Sequence, residues 1–149
     1  MSTKVLGAYT GVTSTTAKHD LGSEYTDRNG TKWVYVKADT NAKTAYSVCY
    51  IASDYTLGDG VGASAVGDCG VPQVAFAASE YGWVAIKGPM TVKYAAGVAA
   101  GAAIYTSATA GALDDAASSQ LKIHGLTVNA TQSGSGNHAS YAGSEIYCG

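Results

Sequence analysis

The pair Asn29-Gly30, set between LGSEYT and TKWVYVKA, commits the chain to β structure early. A two-residue hairpin turn needs positive φ at both central positions, and Asn-Gly tolerates that better than almost any other L-residue pair. The segment that follows alternates. Trp33, Tyr35 and Lys37 point to one side and Val34 and Val36 to the other. A period of two is the mark of a strand whose two faces differ. Nowhere does an apolar period of 3.6 residues persist over three turns, so a helical fold is excluded as the main architecture.

Further strands are predicted at short intervals: AYSVCYIA (45–52), VPQVAFA (71–77), YGWVAIKG (81–88), MTVKYA (90–95), AIYTS (103–107), LKIHGLTV (121–128) and GSEIYC (143–148). A Gly-rich loop is expected over 53–70. Gly, Asn and Asp punctuate the gaps. Regular short strands of this kind predict an all-β single domain, an antiparallel barrel or sandwich, with at most one short helix, near LDDAASSQ (113–120). Residues 1–20 lack any period and read as an extended N-terminal arm, disordered or laid on another surface, ahead of a β-rich domain at 21–149. WVYVK (33–37) and WVAIK (83–87) share a pattern, each followed by a small-residue turn and a Tyr-containing strand. The echo suggests duplicated β units, or only that strands rich in Trp and Val look alike.

The 149 residues amount to about one domain. Charged residues make up 13 %, against about 25 % in a typical domain. The net charge is −2 and Arg28 is the single arginine, so binding to nucleic acid through phosphate neutralisation is not expected. The N-terminal residues contain no apolar core of the kind a signal peptide needs. The uncharged run YAAGVAAGAAIYTSATAGAL (94–113) has the length of a membrane span, but its only large aliphatics are Val98, Ile104 and Leu113. Ala, Gly, Ser and Thr drive insertion weakly, and the three glycines oppose a soluble helix. It reads instead in pieces: a strand ending at Tyr94, a small-residue connection through Gly97–Gly101, a strand at 103–107, and a turn at Ala110-Gly111. No membrane partner is expected.

Sites of chemistry are scarce. GDGVGA (58–63) matches a dinucleotide-binding pattern, but no strand immediately precedes it, and Gly67, Gly70 and Pro72 forbid the helix that must follow. Asp54, Asp59 and Asp68 lack the alternate spacing of a calcium loop. His19, His124 and His138 are scattered, and His124 shares an exposed face with Lys122. Cys49, Cys69 and Cys148 have no metal-like spacing; they read as buried thiols, or as one disulfide with a thiol left over. NGT (29–31) and NAT (129–131) match the glycosylation sequon by chance. No nucleophile elbow is present. The expectation is a non-enzyme without cofactor or metal.

What remains in surplus is tyrosine, 11 residues against one Phe. Tyr and Trp pack between strands and are also enriched at protein interfaces. The candidate interface residues are Lys4, Val5 and Tyr9 on the arm, and Trp33, Tyr35, Trp83, Tyr94 and Tyr105 on strands. The two tryptophans are core residues or, if exposed, platforms for stacking a sugar.

At GTKWVYVKA, QVAFAASEYGWVAIKG and AAIYTSATAGALDD the chain resembles small virion proteins of tailed bacteriophages, the head decoration or cement proteins. The resemblance spans about residues 21–128. In that pattern an Asp often follows the glycine where Ala102 stands here after Gly101. The resemblance implies a β-rich domain on the capsid surface that binds the major capsid protein, commonly as a homotrimer. It brings no catalytic motif. An alternative expectation is a virion-surface recognition module, a head fibre or carbohydrate-binding domain.

Overall fold

A computed structural model describes residues 7–64, 66–117 and 120–149. The strands are β1 (Glu24–Thr26), β2 (Lys32–Ala38), β3 (Cys49–Ile51), β4 (Thr56–Gly60), β5 (Gly67–Pro72), β6 (Tyr81–Tyr94), β7 (Ile104–Thr106), β8 (Leu113–Asp114), β9 (Lys122–Thr127) and β10 (Gly136–Cys148). The fold is all-β, as expected, and the strands join in one ten-stranded sheet. Among the described residues there is no helix. The segment expected to hold one begins instead as β8, and residues 118–119 lie outside the described set.

The sheet is neither one clean barrel nor a sandwich. Its pairings close into two circuits that share β6. In the first, β2 pairs parallel to β4, β4 antiparallel to β3, β3 to β5, β5 to β6, and β6 back to β2. In the second, β6 pairs parallel to β8, β8 antiparallel to β7, β7 to β9, β9 to β10, and β10 back to β6. The order and sense of pairing are the same in both. The 14 residues of β6 make this sharing physical: its first half closes one circuit and its second half opens the next.

Smaller features repeat in the same frame. An isolated bridge joins Lys43 to Phe76 in the first unit and Val98 to Gln132 in the second. Tyr46 and Gly101 precede the equivalent strands β3 and β7 with φ of 69° and 71°. Tyr55 and Gly111 precede β4 and β8 with φ of 62° and 79°. The chain therefore has an internal repeat, but not the one suggested by WVYVK and WVAIK. Those two segments are hydrogen-bonded neighbours, with Tyr35 opposite Trp83.

The frame yields a clean test. At Gly101 a Cβ would meet nothing within 4 Å, so only the left-handed backbone resists a side chain. Gly101→Ala is expected to cost about 1–2 kcal/mol, and Gly101→Asn distinctly less, because Asn visits that region more readily. Urea unfolding of the two variants measures the difference.

Both faces of β2 are buried, one lined by aromatic and the other by aliphatic side chains, and that difference is the alternation. Val34, Val36 and Ala38 pack with Cys49, Ile51, Leu57, Val84 and Ile86 around Phe76. Trp33 and Tyr35 join the larger cluster, which runs through Trp83, Val92, Tyr94, Ile104, Leu113 and Ile123. Burying one such side chain contributes about 1.5–3 kcal/mol.

The β1–β2 hairpin exists, but its turn is not the two-residue type. The ladder stops at Thr26 opposite Lys32. Asp27 takes over the loop: its Oδ1 accepts the amides of Asn29 (2.9 Å) and Thr31 (3.0 Å). Of the Asn-Gly pair only Gly30 has positive φ. A side-chain acceptor at the first loop position supports a wider turn and removes the demand on Asn29.

The expected loop at 53–70 contains β4 and the start of β5. Gly60 explains the mismatch. A Cβ there would sit 2.6 Å from the Gly111 amide nitrogen, so the strand uses glycine because another backbone lies against it.

Candidate functional site

An aromatic groove lies where the N-terminal arm crosses β2 and β6. Trp83 on β6 faces Tyr35 on β2 across the ladder, with ring centroids 5.1 Å apart at 63°. His19 from the arm stands edge-on to both rings, 5.2 Å from each. Tyr81 stacks on Tyr35 at 6.4 Å, and the Lys37 ammonium lies 5.3 Å from the Tyr81 centroid. Edge-to-face aromatic pairs each add about 0.5–1.5 kcal/mol beyond the area they bury.

Polar bonds hold the arm there. Ser14 and Tyr81 exchange backbone hydrogen bonds of 2.9 and 2.8 Å. The Thr13 hydroxyl donates to Glu80 at 2.7 Å, and the Lys18 amide donates to the Tyr35 phenol oxygen at 3.0 Å. The arm is thus laid on its own sheet from Thr13 to His19. Ahead of that anchor, Tyr9 and Val12 overhang a groove of about 530 Å³ whose floor is Tyr35, Tyr81 and Trp83. Tyr9 is 86 % exposed and Val12 61 %.

The residues singled out from the sequence do not form one site. Tyr9, Tyr35 and Trp83 meet at the groove. Trp33 is buried and donates its indole N–H to Asp27 at 3.0 Å. Tyr94 is buried in the second unit, where its hydroxyl and that of Ser140 are 2.8 Å apart; burial pushes its phenol pKa up. Tyr105 is half-buried on β7, beside Lys122 and Asp114. Lys4 and Val5 lie outside the described residues. Trp83 is 2 % and Trp33 6 % exposed, so neither offers a stacking platform. His19, Val12 and Tyr81 were missed. Only Tyr81 carried a signal, as the residue two before Trp83 on one face of a predicted strand.

Lys43 is the one fully buried cation among the described residues. Its ammonium lies 2.6 Å from Asp39 and 2.7 Å from Asp59. Desolvation opposes its charge, but the bonds to the two carboxylates outweigh it and its pKa is raised. The second unit has Val98 at the equivalent bridge, so the ion cluster is a local solution and not a requirement of the repeat. Asp59 is thereby an ion-pair partner that stays largely solvated, and Gly58 and Gly60 of GDGVGA lie in β4 with no helix after them among the described residues. No group of three His, Cys, Asp or Glu side chains suited to a metal occurs among the described residues. Among the described residues no helix is long and apolar enough to cross a membrane.

Three carboxylates have partners that favour their charged form. Asp59 is held below the usual carboxylate range by Lys43 and then Asn41, Glu80 by the Thr13 hydroxyl and then the Ala77 amide, and Asp54 by the Thr56 amide. A carboxylate whose pKa is lowered by folding stabilises the fold above its unfolded value and loses that contribution as pH falls. Stability is therefore expected to be flat from about pH 5 to 8 and to decline below about pH 4. Urea midpoints at pH 7 and pH 3 check this, and Thr13→Val should shrink the decline.

No protein-family model matches the chain, and no match was found among curated proteins or among solved structures.

Proposed function

We propose that the chain is a capsid decoration protein of a tailed phage. It binds the outside of the assembled head, bridges neighbouring copies of the major capsid protein, and does so as a homotrimer without catalysing a reaction. The reading begins from the resemblance at GWVAIKG and IYTSATAGALDD. The first of these phrases lies in β6, the strand shared by both circuits, and the second runs through β7 to β8. The single observation that carries the reading furthest is the arm. Tyr9 and Val12 hold large apolar side chains in solvent immediately ahead of an anchored segment. Tyr is enriched where proteins meet. A short tethered segment of this kind suits a partner that presents an apolar slot between two subunits.

The mechanism is linkage. A protein that binds the expanded shell and not its precursor stabilises the expanded state by mass action. Many modest contacts add up because each copy ties adjacent subunits together. The low charge fits, since few ions need desolvating at the contact. The alternative of a carbohydrate-binding module is weakened by the burial of Trp33 and Trp83.

Saturable binding to expanded capsids, with little to unexpanded proheads, is the expected result in a sedimentation assay. The double variant Tyr9→Ala, Val12→Ala should keep the melting temperature of the parent and lose about tenfold or more in affinity. Failure of the parent protein to bind either particle overturns the proposal.

A further inference from the structure

We propose that Cys69 and Cys148 are a latent disulfide site, closed by exchange with a small-molecule disulfide, that ties β5 of the first unit to β10 of the second. All three cysteines are free and buried. In the antiparallel β5–β10 pair, Cys148 stands opposite Gly67 and Tyr147 opposite Asp68. Side chains two apart on a strand share a face, so Cys69 lies on the Cys148 side, one diagonal step away. Gly67 puts no side chain between them. Both thiols belong to the same buried cluster. Cys69 points its S–H at the carbonyl of Gly67, the residue that pairs with Cys148, 3.4 Å away.

Cys49 is excluded by the pleat. It pairs with Gly70 while Tyr50 pairs with Cys69, so Cys49 and Cys69 are on opposite faces of the sheet. Cys49 belongs to the other core cluster, and burial pushes its thiol up to about 12. It is an internal control in the same chain.

One of the two cysteines, as its thiolate, displaces one thiolate from a disulfide such as oxidised glutathione and forms a mixed disulfide. The other, deprotonated as it reacts, then attacks the sulfur of the first and expels the second thiolate. The protein loses two electrons and two protons, and the oxidant becomes two thiols. Access comes by local opening, since only two residue pairs hold β5 to β10.

The test is incubation of the folded protein with oxidised glutathione, followed by intact mass, peptide mapping and a melt without reductant. The expected product is two hydrogens lighter, with a 69–148 linked peptide, one alkylatable thiol at Cys49 after unfolding, and a melting temperature raised by about 10 °C. Cys49→Ser should behave the same, while Cys69→Ser and Cys148→Ser should show no such loss of mass. Three alkylatable thiols after treatment, a persistent glutathione adduct at Cys69 or Cys148, or a link that includes Cys49 would each overturn the proposal. If a Ser variant fails to fold, the mass and peptide map of the parent protein decide alone.

Discussion

Gly88→Ala is expected to destabilise the protein by about 3–5 kcal/mol, lowering its melting temperature by about 10 °C or more. Gly88 sits in β6 where the strand leaves the first circuit and enters the second, and its φ is +86°. Two penalties coincide there. The left-handed backbone costs an L-residue about 1–2 kcal/mol. A Cβ would also meet the Gly30 carbonyl group and sit 2.9 Å from Thr31 Cα, and those are backbone atoms that cannot rotate away. The tip of the β1–β2 hairpin is pinned against this kink, because the buried Thr31 hydroxyl donates to the Pro89 carbonyl at 2.6 Å. Gly101→Ala carries the first penalty alone, so the difference between the two variants measures the close approach. Chemical denaturation of both reads it directly. Equal losses would mean that the hairpin tip yields at little cost.

The same residues show what a sequence reader can and cannot see. The alternation in KWVYVKA was legible because its two faces serve different clusters, aromatic side chains in one and aliphatic in the other. The pieces of the uncharged run were legible as well: β6 ends at Tyr94, β7 covers Ile104–Thr106, and a turn lies at Ala110-Gly111 before β8. β4 was hidden because its sequence, TLGDG, reads as a turn. Glycine is there to let Gly111 pack against the strand, and that contact is long-range. The first half of β10, GNHASYA, was missed because its inward positions, Gly136, His138, Ser140 and Ala142, are small or polar and supply almost no apolar period. The repeat was misframed for a related reason. Trp33 and Trp83 look like copies of one position, yet they serve one cluster from adjacent strands.

The candidate site was legible only in kind. The Tyr and Trp surplus pointed to extensive aromatic packing, but whether a given ring faces the core or solvent depends on which strand covers it. Tyr35, Trp83 and Tyr94 were enclosed by pairings that no local pattern announces. Tyr9 stayed exposed because, although its neighbour Ala8 packs against the core, the hydrogen bonds that hold the arm among the described residues begin at Thr13. The anchor itself rests on Thr13, Ser14 and the Lys18 amide, residues that look like filler in a Thr- and Ser-rich segment.

That anchor makes Trp83→Ala the second large effect. The indole is 2 % exposed, and His19, Tyr25 and Tyr35 all approach it edge-on. Truncation removes a buried bicyclic ring, worth about 3–5 kcal/mol once the remaining cavity is counted. It also removes the floor on which the arm rests, so two readouts should move together. The global urea midpoint should fall. Trypsin should cut after Lys18 faster, because the Lys18 amide is held to a Tyr35 phenol that Trp83 helps to position. Trp83→Phe, which keeps an aromatic ring in the cluster, should recover most of the arm's protection and part of the stability. Trp33→Ala offers a comparison at the other tryptophan: it removes an equal ring and the bond to Asp27, which loosens the hairpin rather than the arm. If Trp33→Ala and Trp83→Ala raise cleavage after Lys18 to the same extent, the arm responds to global stability alone, and the aromatic groove has no separate part in holding it.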